Sequence, residues 1–388
     1  MSHSDVLIAG AGPAGSIAAF VLARAGVRVR LIDRARFPRE KLCGDTINPG
    51  ALVMLDRLGV SAGIRSRATP VTGMIVTGPG GARIVGAYEA GFSGAAITRR
   101  ELDMLLLEEA TRAGAPFDEG VVVRGPLMNA DGSRVVGVRV AAGADEHDVH
   151  ANVVIGAEGR HSRLAFGLGL ARFGAAPRRW AFGAYYVGVA GLSTQGEMHI
   201  RPDGYIGVAP LPDGLVNVCV VRELSSFLRP HRADVDHIIE NAIRADETLR
   251  DRFAQARRVS TVTVLGPLAV EARAAGMPGL LLAGDSAGFV DPMTGDGLRF
   301  AIAGARLAAA AAIRELETGH PAHARLLAER RREFAGKWRV NRVLRSLVGS
   351  PASVRLAAAI SSRWELPVKA LIDMAGDLPV ARRLRSVA

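Results

Sequence analysis

Apolar and polar positions at the start of the chain predict a strand, a helix and a second strand in close succession. An apolar run follows Asp5 and stops at Gly10, and an Ala-rich, helix-compatible segment extends from Pro13 to Ala25. Gly26 interrupts the helical pattern, and a second strand-like run continues to Ile32. Short apolar runs bounded by glycine are typical of buried parallel strands, so this stretch predicts a β-α-β unit.

The rest of the chain alternates between strand-like and helix-like periodicity. Longer runs with strand character are concentrated in one stretch and predict an antiparallel sheet, at Trp180–Val189, Glu197–Arg201, Tyr205–Leu211 and Leu215–Arg222. Shorter runs predict strands at Thr72–Gly78, Ala82–Val85, Gly120–Arg124, Val135–Val140, His147–His150, Asn152–Ile155 and Gly279–Ala283. Helical spacing predicts helices at Gly50–Leu58, Arg99–Gly114, Ala233–Ala245, Asp296–Thr318 and Ala322–Leu347.

This order of elements predicts two interleaved domains. Residues 1–70, 95–175 and 260–332 would form a discontinuous nucleotide-binding domain. Residues 71–94 and 176–259 would form an antiparallel sheet domain for the substrate, and residues 333–388 a helical C-terminal region. The predicted fold class is therefore α/β, with a Rossmann-like domain visited three times by the chain.

Composition excludes several other classes of protein. The formal charge is +11, but lysine occurs only at Lys41, Lys337 and Lys369, and no basic run is interleaved with aromatic residues. We therefore expect no nucleic-acid partner. Cys43 and Cys219 are the two cysteines, and no Cys/His cluster has metal-ligand spacing. These features predict a cytoplasmic protein without a disulfide framework or a metal site.

The first loop carries the spacing of a dinucleotide-binding site. Gly10, Gly12 and Gly15 follow the first strand in a G-x-G-x-x-G pattern, and Asp33 ends the second strand about 20 residues later. Such glycines allow a tight turn, a close approach to a pyrophosphate, and close packing of helix on strand. The acid is placed to meet a ribose hydroxyl, while the helix N-terminus attracts the phosphates.

Two further stretches indicate a longer ligand than a simple nucleotide. The stretch Val153–Arg163 begins as a strand-like run and continues through Gly156 and Glu158. The stretch Gly279–Arg299 also begins as a strand-like run and continues through Gly284 and Asp285. Gly295 and Gly297 then precede an Ala-rich helix. Glycines at that point would leave no side chain between the backbone and a flat ring, and the positive end of the helix would stabilise a reduced, anionic ring.

With these three motifs in order, the chain resembles the FAD-dependent oxidoreductases that include aromatic-ring hydroxylases and geranylgeranyl reductase-like flavoproteins. The resemblance implies noncovalent FAD, with the glycines of the first loop on the pyrophosphate, Asp33 on the adenosine ribose, Arg99 near the ribityl chain and Val122 near the adenine. It implies that Asp285 binds the ribityl chain and that Pro292 lies along the ring. The cofactor-binding residues expected in full are Gly10, Gly12, Pro13, Ala14, Gly15, Asp33, Arg34, Lys41, Cys43, Gly44, Arg99, Val122, Gly156, Glu158, Gly284, Asp285, Pro292, Gly295, Asp296, Gly297 and Leu298.

One difference from these families and one further resemblance bear on the reaction. Glu158 stands where the hydroxylases usually carry an Asp that also helps to bind NAD(P)H, so docking of that donor there is in doubt. The Lys41-x-Cys43-Gly44 loop resembles the geranylgeranyl reductase branch, where it lies beside the flavin. Cys43 and Asp45 are therefore our candidate catalytic residues, although Cys43 could equally be a small packing residue.

The resemblance leaves the reaction open. The reductase branch carries an aromatic-rich Tyr-x-Trp-x-Phe-Pro stretch, of which only Tyr205 and Pro210 are present here. Our first expectation is therefore NAD(P)H-dependent hydroxylation of a lipophilic or aromatic secondary metabolite by a flavin monooxygenase. The alternative is reduction of a C=C bond of an isoprenoid or quinone-like lipid. A non-enzymatic FAD-binding protein is a minor alternative.

The C-terminal stretch combines arginines with apolar residues at helical spacing, including Trp338, Leu344 and Trp364. The simpler interpretation is a helical cap over the substrate domain. The alternative is a basic amphipathic face that rests on a membrane surface, from which an oily substrate could enter.

Overall fold

The computed structural model of this protein describes residues 4–41, 45–143, 145–174, 179–224, 232–289, 293, 295–348 and 372–378. The strands, numbered in chain order, are β1 (Ser4–Ala9), β2 (Val29–Asp33), β3 (Thr46–Ile47), β4 (Thr69–Val71), β5 (Gly73–Thr77), β6 (Arg83–Ala87), β7 (Gly94–Ala96), β8 (Phe117–Glu119), β9 (Val121–Met128), β10 (Val135–Ala142), β11 (Asp145–Gly156), β12 (Ala171–Phe173), β13 (Arg179–Val187), β14 (Gln195–Arg201), β15 (Gly204–Pro210), β16 (Val216–Glu223), β17 (Arg257–Arg258), β18 (Thr263–Leu265), β19 (Val270–Ala272), β20 (Gly276–Met277) and β21 (Leu280–Leu282). The helices are α1 (Pro13–Arg24), α2 (Pro49–Leu58), α3 (Ala62–Arg67), α4 (Arg99–Arg112), α5 (Arg163–Gly167), α6 (Arg232–Ala245), α7 (Gly297–Thr318) and α8 (His323–Val348).

The first sheet is a largely parallel sheet in the order β20-β21-β11-β1-β2-β8. Strands β21, β11, β1, β2 and β8 run parallel, and β20 pairs antiparallel with β21 at the edge. Side chains of α1, α4 and α7 share one hydrophobic core with β1, in which Ile8, Ile17 and Leu106 are almost fully buried. The β9–β10 hairpin and α5 contribute to the core that contains Leu7, on the opposite face.

The second sheet has the order β17-β13-β16-β15-β14-β5-β6, with β18 also paired to β13. Its strands pair antiparallel except for β5 with β14. On its outer face, Phe182 and Val218 pack in one core with Ile239 of α6. On its inner face, Tyr205 and Val221 pack with side chains of the first sheet's loops, as described below. The alternation of strand side chains thus divides the sheet into a helix-covered face and a face turned to the other sheet.

The C-terminal segment 372–378 joins three helices. Lys337 Nζ on α8 donates to the carbonyl oxygens of Met374 (2.8 Å) and Ala375 (2.9 Å). The N–H of Gly50 on α2 donates to Gly376 O (2.9 Å). Arg299 on α7 pairs with Asp377 at 2.7 Å. Among the described residues, no helix is both long enough and apolar enough to cross a membrane.

The predicted fold class is confirmed, since a Rossmann-like parallel sheet, antiparallel sheets and C-terminal helices are all present. The domain boundaries stay a prediction. The structure differs from the sequence-based pattern at His147–His150 and Asn152–Ile155, which form one continuous strand, β11. Its first half pairs antiparallel with β10 and its second half parallel with β1 and β21. No turn residue separates the two halves, so a single strand pairs with different neighbours along its length.

Candidate functional site

The loop between β1 and α1 is shaped by glycines that no other residue could replace without moving the backbone. Gly10 has φ +104°, and a Cβ there would lie 2.4 Å from the carbonyl oxygen of Ala157. A Cβ on Gly15 would lie 1.7 Å from the carbonyl oxygen of Gly10. The first turn of α1 therefore packs directly on the loop, with its free N–H groups at the loop's open side.

Asp33 holds this loop from the neighbouring strand. Its Oδ2 accepts a hydrogen bond from the N–H of Ala11 (2.7 Å), and its Oδ1 accepts one from the N–H of Ala35 (2.8 Å). Arg39 Nη1 lies 3.8 Å from the same carboxylate. The acid that the motif assigns to a ribose hydroxyl thus also fixes the backbone around the loop, and each oxygen retains capacity for a second donor.

The glycine loops enclose a cavity of about 400 Å³. The structure brings most of the predicted cofactor-binding residues to its lining, namely Gly10, Gly12, Pro13, Ala14, Asp33, Arg34, Lys41, Arg99, Val122, Glu158, Gly284, Asp285, Gly297 and Leu298. Gly15 and Gly156 are placed behind this lining, at the base of α1 and the end of β11. The predicted residues Cys43, Gly44 and Pro292 lie outside the described residues.

Cationic side chains gather at one side of the cavity. Lys41 and Arg99 line it, as does Arg39, which the sequence analysis missed. Burial lowers the pKa of Lys41, and the charge of Arg99 lowers it further, against the opposing effect of Asp285. Within the part of the chain that the structure describes, the buried Nε of Arg39 has no hydrogen-bond partner. Cationic donors beside a helix N-terminus suit a phosphate group.

A buried carboxylate organises two of these arginines. Asp103 is fully buried and accepts from Arg99 Nε (2.8 Å) and Nη2 (2.9 Å). The same carboxylate lies 2.9 Å from Arg39 Nη2. Arg99 was predicted to reach the ribityl region, and its guanidinium is held by Asp103 at the cavity wall. An Arg four residues before an Asp on one helix face is the signal that could have revealed this pair.

Glu158 makes its hydrogen bonds to its own loop. Its carboxylate accepts from Ser162 Oγ (2.7 Å), from Leu164 N (3.2 Å) and from Arg163 N (3.3 Å). Burial raises the pKa of Glu158, and these hydrogen bonds oppose that rise. The side chain therefore stabilises the start of α5 while lining the cavity. Nearby, Arg160 donates to the carbonyl oxygen of Pro267 (2.7 Å) and so joins the cavity wall to the second sheet.

At its other end the cavity meets α7 and the second sheet. Gly284 has φ +61°, and a Cβ there would meet Ala14 Cβ at 2.8 Å, so this turn lies directly against α1. Gly297 and Leu298, in the first turn of α7, line the cavity with Phe289 and Leu265. Phe289 and Leu265 pack in turn with the inner-face core of the second sheet. This end is therefore apolar, glycine-lined and in contact with both sheets.

Asp296 and Gly295 precede α7 and do not line this cavity. The carboxylate of Asp296 pairs with Lys337 (3.0 Å) and accepts from Asn48 Nδ2 (2.9 Å) and Asn341 Nδ2 (2.9 Å). Asp296 thus joins the start of α7 to α2 and α8. Lys337, 41 residues further along the chain, is a contact that spacing alone could not have predicted.

Asp45, one of the two catalytic candidates, lies between the start of α4 and strand β16 of the second sheet. It is 2% exposed and accepts hydrogen bonds from the N–H of Arg99 (2.9 Å) and from Asn217 Nδ2, with Tyr185 nearby. Burial raises the pKa of Asp45 to about 7, against the lowering effects of Arg99 and these donors. A carboxyl with such a pKa exchanges a proton near neutral pH.

The arrangement fits an extended dinucleotide. A glycine loop and a helix N-terminus can face phosphates, an acid ends β2, cationic side chains line the middle, and a glycine-lined apolar end can receive a flat ring. These are the features that FAD requires. Which atoms of FAD each residue contacts stays a prediction.

Comparison with known proteins agrees with this geometry. A family model described as an FAD binding domain matches residues 3–341. A menaquinone reductase of Mycobacterium tuberculosis is 33% identical over 327 residues, which make up 79% of this chain and 76% of that protein. Digeranylgeranylglycerophospholipid reductase 2 of Methanopyrus kandleri is 31% identical over 329 residues, 81% of this chain and 78% of that protein.

A solved structure extends the likeness to the fold. A flavin-dependent brominase matches with a TM-score of 0.81 and 20% identity, and the match covers 97% of this chain and 94% of that chain. At this identity the match shows a shared fold and does not bear on the reaction, because one fold supports many chemistries.

Proposed function

Because this chain belongs to the FAD-dependent oxidoreductase superfamily, we propose that it reduces a carbon–carbon double bond of an isoprenoid or quinone-like lipid. The predicted FAD-dependent oxidoreductase class is confirmed by the family match and by relatives above 30% identity. The names of those relatives support reduction over hydroxylation, which the sequence alone had placed first.

The observation that carries the proposal is the contact between the glycine-lined end of the cavity and the apolar inner face of the second sheet. Leu265 and Phe289 belong to both the cavity lining and the core that contains Tyr205 and Val221. A lipid chain on this face would lie beside the ring of the cofactor and away from water. Burial of apolar surface would then supply the binding free energy, at about 25 cal/mol for each Å².

Bound FAD, once reduced by the electron donor, would supply a hydrogen with its electron pair to one carbon of the double bond. The chain's own residues bind, position and exclude water. The first loop and the cations around Lys41 would hold the phosphates, and the start of α7 would lie along the ring. The double bond also needs a proton for its second carbon, which a group of the protein must provide.

We propose NAD(P)H as the electron donor, without assigning Glu158 to its binding. The hydrogen bonds of Glu158 to Ser162 and to α5 support this exclusion. Contact of the C-terminal helices with a membrane also stays a prediction. Trp338 on α8 is 38% exposed, and co-sedimentation with liposomes at low and moderate salt would test whether the protein binds a lipid surface.

An anaerobic assay tests the reaction. The flavin-loaded protein is reduced with NADPH or NADH and then mixed with geranylgeranyl diphosphate or with a menaquinone, in the presence and in the absence of O2. We expect flavin reoxidation without O2 and a product heavier by two hydrogens. A product heavier by one oxygen atom, formed only with O2, would establish hydroxylation instead. Flavin that no donor reduces would favour the non-enzymatic alternative.

A further inference from the structure

A cluster of three polar side chains lies on the inner face of the second sheet, outside the cofactor cavity. Its members are Asp45, Tyr185 and Asn217. Tyr185 on β13 and Asn217 on β16 are cross-strand partners in the antiparallel ladder. Their side chains therefore stand next to each other on one face. Asn217 Nδ2 donates to the carboxylate of Asp45, and the Tyr185 hydroxyl is close enough to that carboxylate for each group to shift the pKa of the other.

This face is the one that we assign to the lipid. From the Tyr185–Asn217 pair, the next pair on the same face is Gly183 with Cys219, and the one after that is Ala181 with Val221. Because strand side chains alternate, Tyr185 and Asn217 share a face with Ala181 and Val221. Ala181 and Val221 pack in the core that includes Leu265 and Phe289 of the cavity lining. The cluster thus lies on the same inner face as the apolar contact, four residues further along both strands.

The surroundings of Asp45 are those of a group that changes protonation. The charged and titratable groups that act on it are Arg99 and Tyr185, and Asn217 adds a neutral donor. Arg99 offers its backbone N–H to Asp45, while its guanidinium is bidentate with Asp103. If this side chain only had to accept hydrogen bonds, a neutral amide could take its place. Burying a carboxyl instead costs free energy that a proton-donating role would explain.

Tyr185 is the most exposed member of the cluster, and its ring packs against the core of Val71, Ala96 and Leu211. Its side chain is partly exposed, whereas Asp45 and Asn217 are buried. Burial and the neighbouring charge of Asp45 raise the pKa of Tyr185, and Glu40 raises it further. The phenol therefore stays protonated in the resting protein and can pass on a proton only if Asp45 replaces it.

We propose that Asp45 is the proton source for the reduced double bond, with the hydroxyl of Tyr185 passing the proton to the substrate and Asn217 as the positioning residue. This inference rests on the proposed function. One carbon receives a hydrogen with its electron pair from the reduced cofactor, and the other receives H⁺ from Tyr185. The C=C π bond is lost and two C–H bonds form. Tyr185 recovers its proton from Asp45, and the resulting carboxylate is reprotonated from water.

Stopped-flow kinetics of the flavin-loaded protein test this assignment. Asp45→Asn and Tyr185→Phe are compared with wild type in two half-reactions, flavin reduction by NADPH without lipid and anaerobic flavin reoxidation by a menaquinone. We expect both variants to retain flavin and to be reduced at the wild-type rate. Reoxidation should slow by about 100-fold or more, the usual contribution of a positioned acid. The wild-type rate should also fall as pH rises through about 7, and the variants should lose this dependence.

Tyr186→Phe is the matched control. Tyr186 is the next residue of the same strand, lies on the helix-covered face and donates to Glu240 (3.2 Å). Its removal should leave reoxidation unchanged. If Asp45→Asn is unstable, Tyr185→Phe alone carries the test. Variants that reoxidise at the wild-type rate with the wild-type pH profile would overturn the proton assignment. A wild-type protein that no lipid reoxidises without O2 would overturn the proposed function and this inference with it.

Discussion

Glu197→Gln tests how the second sheet is held together on its outer face. Glu197 is 6% exposed, and its carboxylate accepts from Arg252 Nη1 (2.6 Å) and Nη2 (2.8 Å). His199 Nε2 lies 3.1 Å away, and His199 Nδ1 lies 2.8 Å from Thr77 Oγ1 on the adjacent strand. The variant keeps the shape of the side chain but removes the charge that faces Arg252.

The size of the effect follows from the pKa of Glu197. Burial raises this pKa, but the hydrogen bonds from Arg252 and His199 outweigh it and lower the pKa from 4.5 to about 2. A shift of that size corresponds to about 3 kcal/mol of folding free energy at neutral pH. Arg252 would keep its bond to the carbonyl oxygen of Ala190 (3.0 Å), so we expect a loss of about 2–3 kcal/mol.

The sign of the pH dependence is set by the same shift. Because the folded-state pKa lies below the unfolded value, the stabilisation is present above about pH 4.5 and is lost as pH falls towards 2. Urea unfolding followed by tryptophan fluorescence measures the difference between wild type and Glu197→Gln at pH 7, 5 and 3. Asp148→Asn, at the exposed Arg139–Asp148 pair, is the control and should have no measurable effect. A difference below about 1 kcal/mol at pH 7, or one that does not shrink between pH 5 and 3, would refute the reasoning.

Three further variants probe the cofactor site and its support. Gly15→Val should give protein without flavin, since its Cβ would collide with the carbonyl oxygen of Gly10; the flavin-to-protein absorbance ratio measures this, and a yellow variant would contradict it. Lys41→Met should weaken FAD binding by about 10-fold in a fluorescence titration, and the wild-type affinity should fall as pH rises through the lowered pKa of Lys41. Equal FAD affinities of the variant and the wild type would contradict a phosphate contact. Lys337→Met should lower stability by about 3 kcal/mol in thermal unfolding, because Asp296 would stay buried without its cation; Asp296→Asn in the same chain should recover part of the loss, and no recovery would argue against the pair.

The elements of the first sheet were predictable because local signals specify them. The tight turn after β1 requires the spacing of the glycines and Asp33 that the sequence displays. The limits of α2 and α4 agree closely with the helical spacing of Gly50–Leu58 and Arg99–Gly114. N-caps at Asn48 and Thr98 explain why these helices begin where they do. The continuous strand β11 was less predictable, because its two halves differ in burial and in partners.

The cluster at Asp45 shows where local reasoning stops. The sequence analysis chose Asp45 for its place beside the Cys43-Gly44 loop. Asn217 lies 172 residues from Asp45 in the chain, and no periodicity links the two. Their contact depends on the register of β13 against β16 and on how the second sheet meets the first. The same holds for Asp103 with Arg39 and for Lys337 with Asp296.

The sequence by itself determined the α/β class, the glycine loops and the FAD-dependent oxidoreductase family, because each depends on side-chain periodicity or on backbone constraints within about 30 residues. The tertiary structure alone decided which charges are buried together, which face of the second sheet meets the cavity, and that a carboxyl with a pKa of about 7 lies between α4 and the second sheet. These depend on packing between segments far apart in the chain, and the protonation of a buried group is set by every element that surrounds it.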